Sequence, residues 1–242
     1  MAMLSVNVNK IALLRNSRGR DFPSVVEYVR KIISLGVKGI TVHPRPDERH
    51  ITRQDIFDIS ECLTSHSGVE FNIEGYPSEE FLKLVVEVSP DQCTLVPDNP
   101  EQLTSDHGWQ VSANHSILTE AIACLRESGV RSSVFLDPQP TLLEQVSEVG
   151  ADRIELYTEE YASKFNTSDE AAVWQSYADT ARAAAELNIG VNGGHDLDLK
   201  NLARFLEIPE VREVSLGHAL VVEALDQGIR SVIEQYLRIV NQ

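Results

Sequence analysis

Eight short β-rich runs alternate with longer amphipathic stretches along the 242 residues, and this alternation constrains the fold more than any other feature. The runs cover residues 4–9, 39–43, 69–74, 92–96, 132–137, 153–157, 190–192 and 213–217. They consist mostly of branched apolar side chains, the pattern of strands buried on both faces. Helical patterns separate them at 24–35, 54–63, 78–88, 141–149, 171–187 and 197–206, and a last one at 221–239 closes the chain. In the first of these, Val25, Val26, Val29, Ile32 and Ile33 form one stripe that stops at Gly36. Gly129 and Gly150 also stand just before strands, as the loop from a helix into a strand requires. A further helix at 117–126 fills the long gap between the fourth and fifth strands. With no Pro/Gly/Ser-rich linker, the pattern predicts a single-domain (β/α)8 TIM barrel over residues 1–242, with that extra helix between strands 4 and 5. The alternative, a doubly wound open sheet, is weakened because the chain has neither a G-x-G-x-x-G turn nor a G-x-x-x-x-G-K-[ST] loop.

A barrel of this kind carries its chemistry where strands end and loops begin. The first strand leads into Asn7, Asn9, Lys10, Arg15 and Arg18; the second into His43, Arg45, Arg49 and His50. The third ends in Asn72 and Glu74, and the fourth leads to Thr104 and Ser105. The sixth carries Glu155 and Tyr157, the seventh runs into Gly193-Gly194-His195-Asp196, and the eighth ends at Gly217-His218. One such His or Glu alone is more often a satisfied structural residue. Three histidines and two glutamates converging on one mouth are harder to explain that way, because each buried charge costs several kcal/mol unless paired. Pairing them with one another is also how catalytic proton affinities are set. His66, His107 and His115 lie in polar stretches and read as solvated.

Charge narrows the substrate. The chain carries a formal charge of −16, yet residues 1–53 hold ten basic and only four acidic side chains. An overall acidic protein repels nucleic acid and anionic membranes, so neither is an expected partner. The basic opening segment points to small anions. Lys10, Arg18 and Arg45 supply one anion locus, and the small residues of Gly-Gly-His and Ser-Leu-Gly-His supply a second, where backbone N–H groups approach phosphate oxygens. No metal is expected, since no ligand pair falls at H-x-x-x-H spacing and the surrounding cations oppose a cation site. Cys62, Cys93 and Cys124 form no C-x-x-C pair and read as reduced thiols. No signal-peptide pattern and no apolar run of bilayer length is seen, which predicts a cytoplasmic protein.

At these residues the sequence resembles the pyridoxine 5′-phosphate synthase family almost end to end. The resemblance runs through Val6-Asn7-Val8-Asn9-Lys10 and Leu14-Arg15-Asn16-Ser17-Arg18-Gly19, then through residues 39–51 with His43, Arg45, Arg49 and His50. It continues at Phe71-Asn72-Ile73-Glu74, Leu95-Val96-Pro97, Ile154-Glu155, residues 192–195 and Leu216-Gly217-His218-Ala219. It implies a barrel enzyme that condenses 1-deoxy-D-xylulose 5-phosphate with 3-amino-2-oxopropyl phosphate, without metal or organic cofactor, as a homo-octamer. By resemblance His43 and Glu74 are proton acceptors, His195 is a proton donor and Glu155 stabilises intermediates. Asn7, Asn9, Lys10, Arg18, Arg45, His50, Thr104, Asp196, Gly217 and His218 fall at substrate-holding positions. Three departures stand out: Asn9-Lys10 where many members have Asp-His, Asp196 where Gly is common, and Tyr157-Thr158-Glu159 in place of a His-Thr-Gly-like segment. Two other readings stay open, a phosphosugar isomerase or aldolase barrel and an inactive barrel that binds a phosphorylated metabolite.

Overall fold

The structure, a computed structural model, describes residues 1–98, 102 and 105–242. Strands β1 (Met3–Asn7), β2 (Gly39–Val42), β3 (Glu70–Gly75), β4 (Gln92–Leu95), β5 (Arg131–Leu136), β6 (Arg153–Tyr157), β7 (Gly190–Gly194) and β8 (Val211–Leu216) each pair in parallel with the next. Val6 of β1 then pairs with Leu216 of β8 and closes the barrel. Helices α1 (Asn9–Asn16), α2 (Val25–Ser34), α3 (Arg53–Leu63), α4 (Glu79–Val88), α5 (His115–Glu127), α6 (Leu143–Val149), α7 (Glu159–Lys164), α8 (Glu170–Glu186), α9 (Leu202–Phe205), α10 (His218–Gln227) and α11 (Ile229–Val240) fill the connections and the C-terminus. The helix starts are written locally. The Ser78 hydroxyl accepts the Phe81 N–H at 3.2 Å, and Thr52 and Asp55 form a reciprocal capping box that opens α3.

Four elements depart from the sequence reading, each for a local reason. The helix between strands 4 and 5 is present as α5, but it is the ordinary crossover of that unit; the helices beyond the eightfold alternation are α1, α7 and a second C-terminal one. The first strand stops at Asn7 rather than residue 9, because the Asn7 side chain accepts the Asn9 N–H at 3.0 Å and turns the chain into α1. The helix expected at 197–206 shrinks to Leu202–Phe205. Asp198 Oδ1 accepts the Lys200 and Asn201 N–H groups at 2.8 and 2.9 Å, so side chains take the backbone donors that a helix would use. The closing helix starts early, at His218, and breaks at Gly228, whose φ of +81° suits glycine.

The strands are also not apolar on both faces. Thr94 of β4 donates to Glu155 of β6 at 3.5 Å, and Gln92 of β4 donates to Glu213 of β8 at 3.4 Å. Bonds between strands that are not neighbours can only cross the barrel interior. That interior is therefore polar: Ser5 and Thr41 share a 2.7 Å bond, Thr94 donates to Asn72 at 3.1 Å, and Arg153 pairs with Glu213 at 2.9 Å. The apolar core lies outside it, where alternate strand residues such as Phe71, Ile73, Ile154 and Leu156 meet the helix stripes carrying Val29, Ile32, Ile56, Ile59 and Val85. At about 25 cal/mol per Å² of apolar burial, this outer layer supplies the main driving force for folding.

Candidate active site

A cavity of about 390 Å³ opens at the C-terminal end of the barrel. It brings together His43, Glu74, Glu155, His195, Asn7, Asn9, Lys10, Arg45, His50, Asp196, Gly217 and His218. Two predicted residues are not part of this wall. Arg18 sits in the exposed turn after α1 and does not line the cavity, and Thr104 lies outside the described residues. Ser105, Phe135 and Ser215 also line the cavity, with apolar Val96, Leu197, Leu216 and Ala219 filling the rest.

Burial sets the resting protonation of the acid/base groups. His43 lies 3.6 Å from Glu74, Nδ1 to Oε2. Burial holds the His43 imidazole well below its usual range, helped by the positive charge of Arg45 and by His50 and Arg49, so it rests neutral and can accept a proton. Glu74 is pushed well above the carboxylate range, first by burial, then by Glu155 and Asp98, with Arg45 opposing. Glu155 rises to about 8, again by burial first and by Glu213 second, while the Thr94 hydroxyl opposes. At neutral pH the site therefore offers a free imidazole base beside carboxyl groups that still hold protons. His50 falls to about 4 through burial and the charges of Arg45 and Lys10. Its Nδ1 accepts the Ile51 N–H at 3.0 Å, which leaves the proton of the neutral ring on Nε2.

Backbone clamps hold these groups in place. The Asn9 amide donates to the His43 carbonyl at 3.3 Å and accepts the His43 N–H at 3.0 Å, so both halves of the amide serve to position His43. Arg15 pairs with the buried Asp55 and donates to the His50 carbonyl at 3.2 Å, and Asn16 donates to the same carbonyl at 2.8 Å. The Leu-Arg-Asn string thus braces the loop that carries His50. On the opposite side, the Thr158 N–H and hydroxyl reach the Gly194 carbonyl at 3.1 and 2.6 Å. Gly194 lets the Glu155 carboxyl lie where it does: a Cβ there would stand 2.6 Å from Glu155 Oε1 and 3.2 Å from the Ser215 carbonyl, so the carboxyl would have to move. His195 and Asp196 follow in left-handed backbone, with φ of +85° and +58°. The His195 ring meets Tyr157 edge-on at 5.0 Å, and its Nδ1 lies 3.0 Å from Asp196 Oδ2.

Charge is distributed less simply than the sequence implied. Arg45 is buried and tied to Asp98 at 2.6 Å, and Asp98 also accepts the Ser105 hydroxyl at 2.7 Å. The sequence gives no sign of this partner, since nothing about an Asp after Val-Pro shows that it will meet Arg45 across two loops. Lys10 remains on the cavity wall beside the N-terminus of α1, and Gly217 and His218 bring the N-terminus of α10 in next to it, since β8 pairs with β1. Two helix N-termini facing one cavity suit two anionic groups. Among the described residues, no group of three or more His, Cys, Asp or Glu side chains is placed to hold a metal ion.

Residues 4–242 match the model of the family described as pyridoxal phosphate biosynthesis protein PdxJ. The chain belongs to the PdxJ family. It is 49% identical over 237 residues to a pyridoxine 5′-phosphate synthase of Bacteroides thetaiotaomicron, covering 98% of both chains. It is also 49% identical to the enzyme of that name from Christiangramia forsetii over 99% of each chain, and 44% identical to that of Leptospira biflexa over 100% of this chain and 98% of the other. Among solved structures, a mutant tryptophan synthase α-subunit from Pyrococcus furiosus superposes with a TM-score of 0.66 at 12% identity, covering 100% of this chain and 98% of that one. That likeness places the PdxJ chain among barrels by fold alone.

Proposed function

We propose that this barrel is a pyridoxine 5′-phosphate synthase, which condenses 1-deoxy-D-xylulose 5-phosphate with 3-amino-2-oxopropyl phosphate and releases pyridoxine 5′-phosphate, phosphate and water. The observation that carries the reading is a neutral His43 at 3.6 Å from Glu74, in one cavity with Glu155 and His195. Imine formation, phosphate elimination and ring closure each move protons, and a neutral imidazole beside protonated carboxyls can take one and give one without bulk water. In this reading His43 accepts a proton first, Glu74 accepts one once it has given up the proton it holds at rest, Glu155 stabilises the polarised intermediates and His195 donates. Lys10 with His50, and the α10 N-terminus at Gly217 and His218, hold the two phosphates. A Schiff-base aldolase has less support, because none of the eight strands carries a lysine.

The test is turnover with both substrates in wild-type protein and in Glu74→Gln and His195→Asn. Each variant is expected to lose about 10²–10⁴-fold in kcat while inorganic phosphate still binds. Undiminished turnover in either would remove the assigned role. We extend the reading to a cytoplasmic protein and to a homo-oligomer, the latter supported by Leu13 and Leu14 on α1 and Val222 and Leu225 on α10, which are exposed at 43–75%.

A further inference from the structure

The residue after His195 is an aspartate whose backbone, at φ +58°, has the left-handed conformation that glycine adopts most easily. Asp and Asn are the side chains that tolerate this region best, so the position accepts a carboxylate at small cost. A carboxylate beside a phosphate would be unfavourable; this one lines the cavity, but its Oδ2 is engaged by His195 Nδ1 at 3.0 Å and its charge is offset by Lys10 and His218. The pair is fixed from several sides. Thr158 holds the Gly194 carbonyl, Tyr157 packs edge-on against the imidazole at 5.0 Å, and Asn201 Nδ2 donates to the Asp196 carbonyl at 3.2 Å.

We propose that Asp196 is a positioning residue for His195: its carboxylate accepts the Nδ1–H and fixes the tautomer and ring orientation that present Nε2 to the cavity. The proposal rests on the reading of His195 as a proton donor. Once Nε2 has given its proton to the substrate, the electron pair of that N–H bond stays on the ring nitrogen. The ring becomes neutral while Asp196 keeps both its charge and its bond to Nδ1–H. The same hydrogen bond to His195 is the main reason the Asp196 carboxyl lies below the usual carboxylate range, with His218 and Lys10 adding to it. The titratable groups around the pair are Glu155 and Tyr157 from β6, Lys10 from α1 and His218 from α10. They stay in place when residue 196 is changed.

Asp196→Asn and Asp196→Gly both keep a residue that tolerates φ +58°, so the fold is preserved. The direct readout is the tautomer of the neutral His195 ring, read from the ring-nitrogen NMR shifts of 15N-histidine-labelled protein without substrate. The Nδ1–H form is expected in wild type and in Asp196→Asn, whose Oδ1 can still accept that proton, and its excess is expected to be lost in Asp196→Gly. The same tautomer in all three proteins overturns the proposal. In turnover, Asp196→Asn is expected to retain kcat better than Asp196→Gly, with both KM values changed less. Equal kcat in the two variants would remove the positioning role. Absence of product with wild-type protein, or full turnover in His195→Asn, would instead remove the functional reading, and the tautomer would still decide whether the pair is coupled.

Discussion

At the scale of single residues, spacing and residue type singled out the His and Glu side chains that meet in the cavity, but not the partners that surround them. His43, Glu74, Glu155, His195 and His218 stand out because a charged or titratable side chain in an apolar run demands a reason. Asn9 stood out only as a departure, and the structure makes it a clamp: its amide makes both a donor and an acceptor bond with the His43 backbone. Asn9→Ala is expected to lower kcat about tenfold, roughly the worth of two hydrogen bonds, with both KM values changed less than about threefold. A change confined to KM would make Asn9 a substrate ligand instead. Arg45 is the opposite case. Its charge was legible, but its partner Asp98 was not, because the two residues are 53 positions apart and meet only through the fold.

At the scale of elements, strands were easier to read than helix ends. The eight runs became eight strands because burial imposes branched side chains at alternate positions whatever the loops do. Apolar spacing predicts too long a helix at 197–206 because it says nothing about Asp198 and Asn201 capturing backbone N–H groups. The polar interior was underread for a similar reason: the alternation in Glu70–Gly75 was present, but an inward Asn or Glu makes sense only once partners on other strands are known. The β6–β7 contact gives a specific test. Gly194→Ala puts a methyl group 2.6 Å from Glu155 Oε1, so it should cost about 1–3 kcal/mol in urea unfolding and most of the activity. A variant with wild-type stability and turnover would show that the Glu155 carboxyl moves aside without loss and that its present position is not needed.

For the whole molecule, the buried site ties stability to pH with a definite sign. Glu74, Glu155 and Glu213 all have folded values raised by burial, so their stabilising effect is full below the unfolded carboxylate range and is lost as pH rises through the folded values. His43 and His50 are lowered, so their contribution is complete above the unfolded histidine value and is lost only as pH falls. Above about pH 6.5 the carboxyls act alone, and stability should decline toward pH 8. Glu155→Gln, which removes one of them, should raise Tm at pH 8 by at least about 2 °C and much less near pH 4.5. An equal Tm difference at both values would mean that Glu155 ionises freely in the folded protein. Light scattering should give a mass that is a multiple of the 26.9 kDa chain, and a monomer would contradict the oligomer. The net charge of −16 and the basic first 53 residues were legible from composition, and only part of that basic excess reaches the cavity: Lys10 and Arg45 line it, while Arg15 braces a loop and Arg18 is exposed. The central claim is that this cavity joins two phosphorylated substrates by proton transfer. The most direct measurement mixes wild-type protein with 1-deoxy-D-xylulose 5-phosphate and 3-amino-2-oxopropyl phosphate and follows both products by mass spectrometry. Pyridoxine 5′-phosphate and inorganic phosphate should appear in equal amounts, and only when both substrates are present; release of phosphate without the ring product, or no reaction, would contradict it.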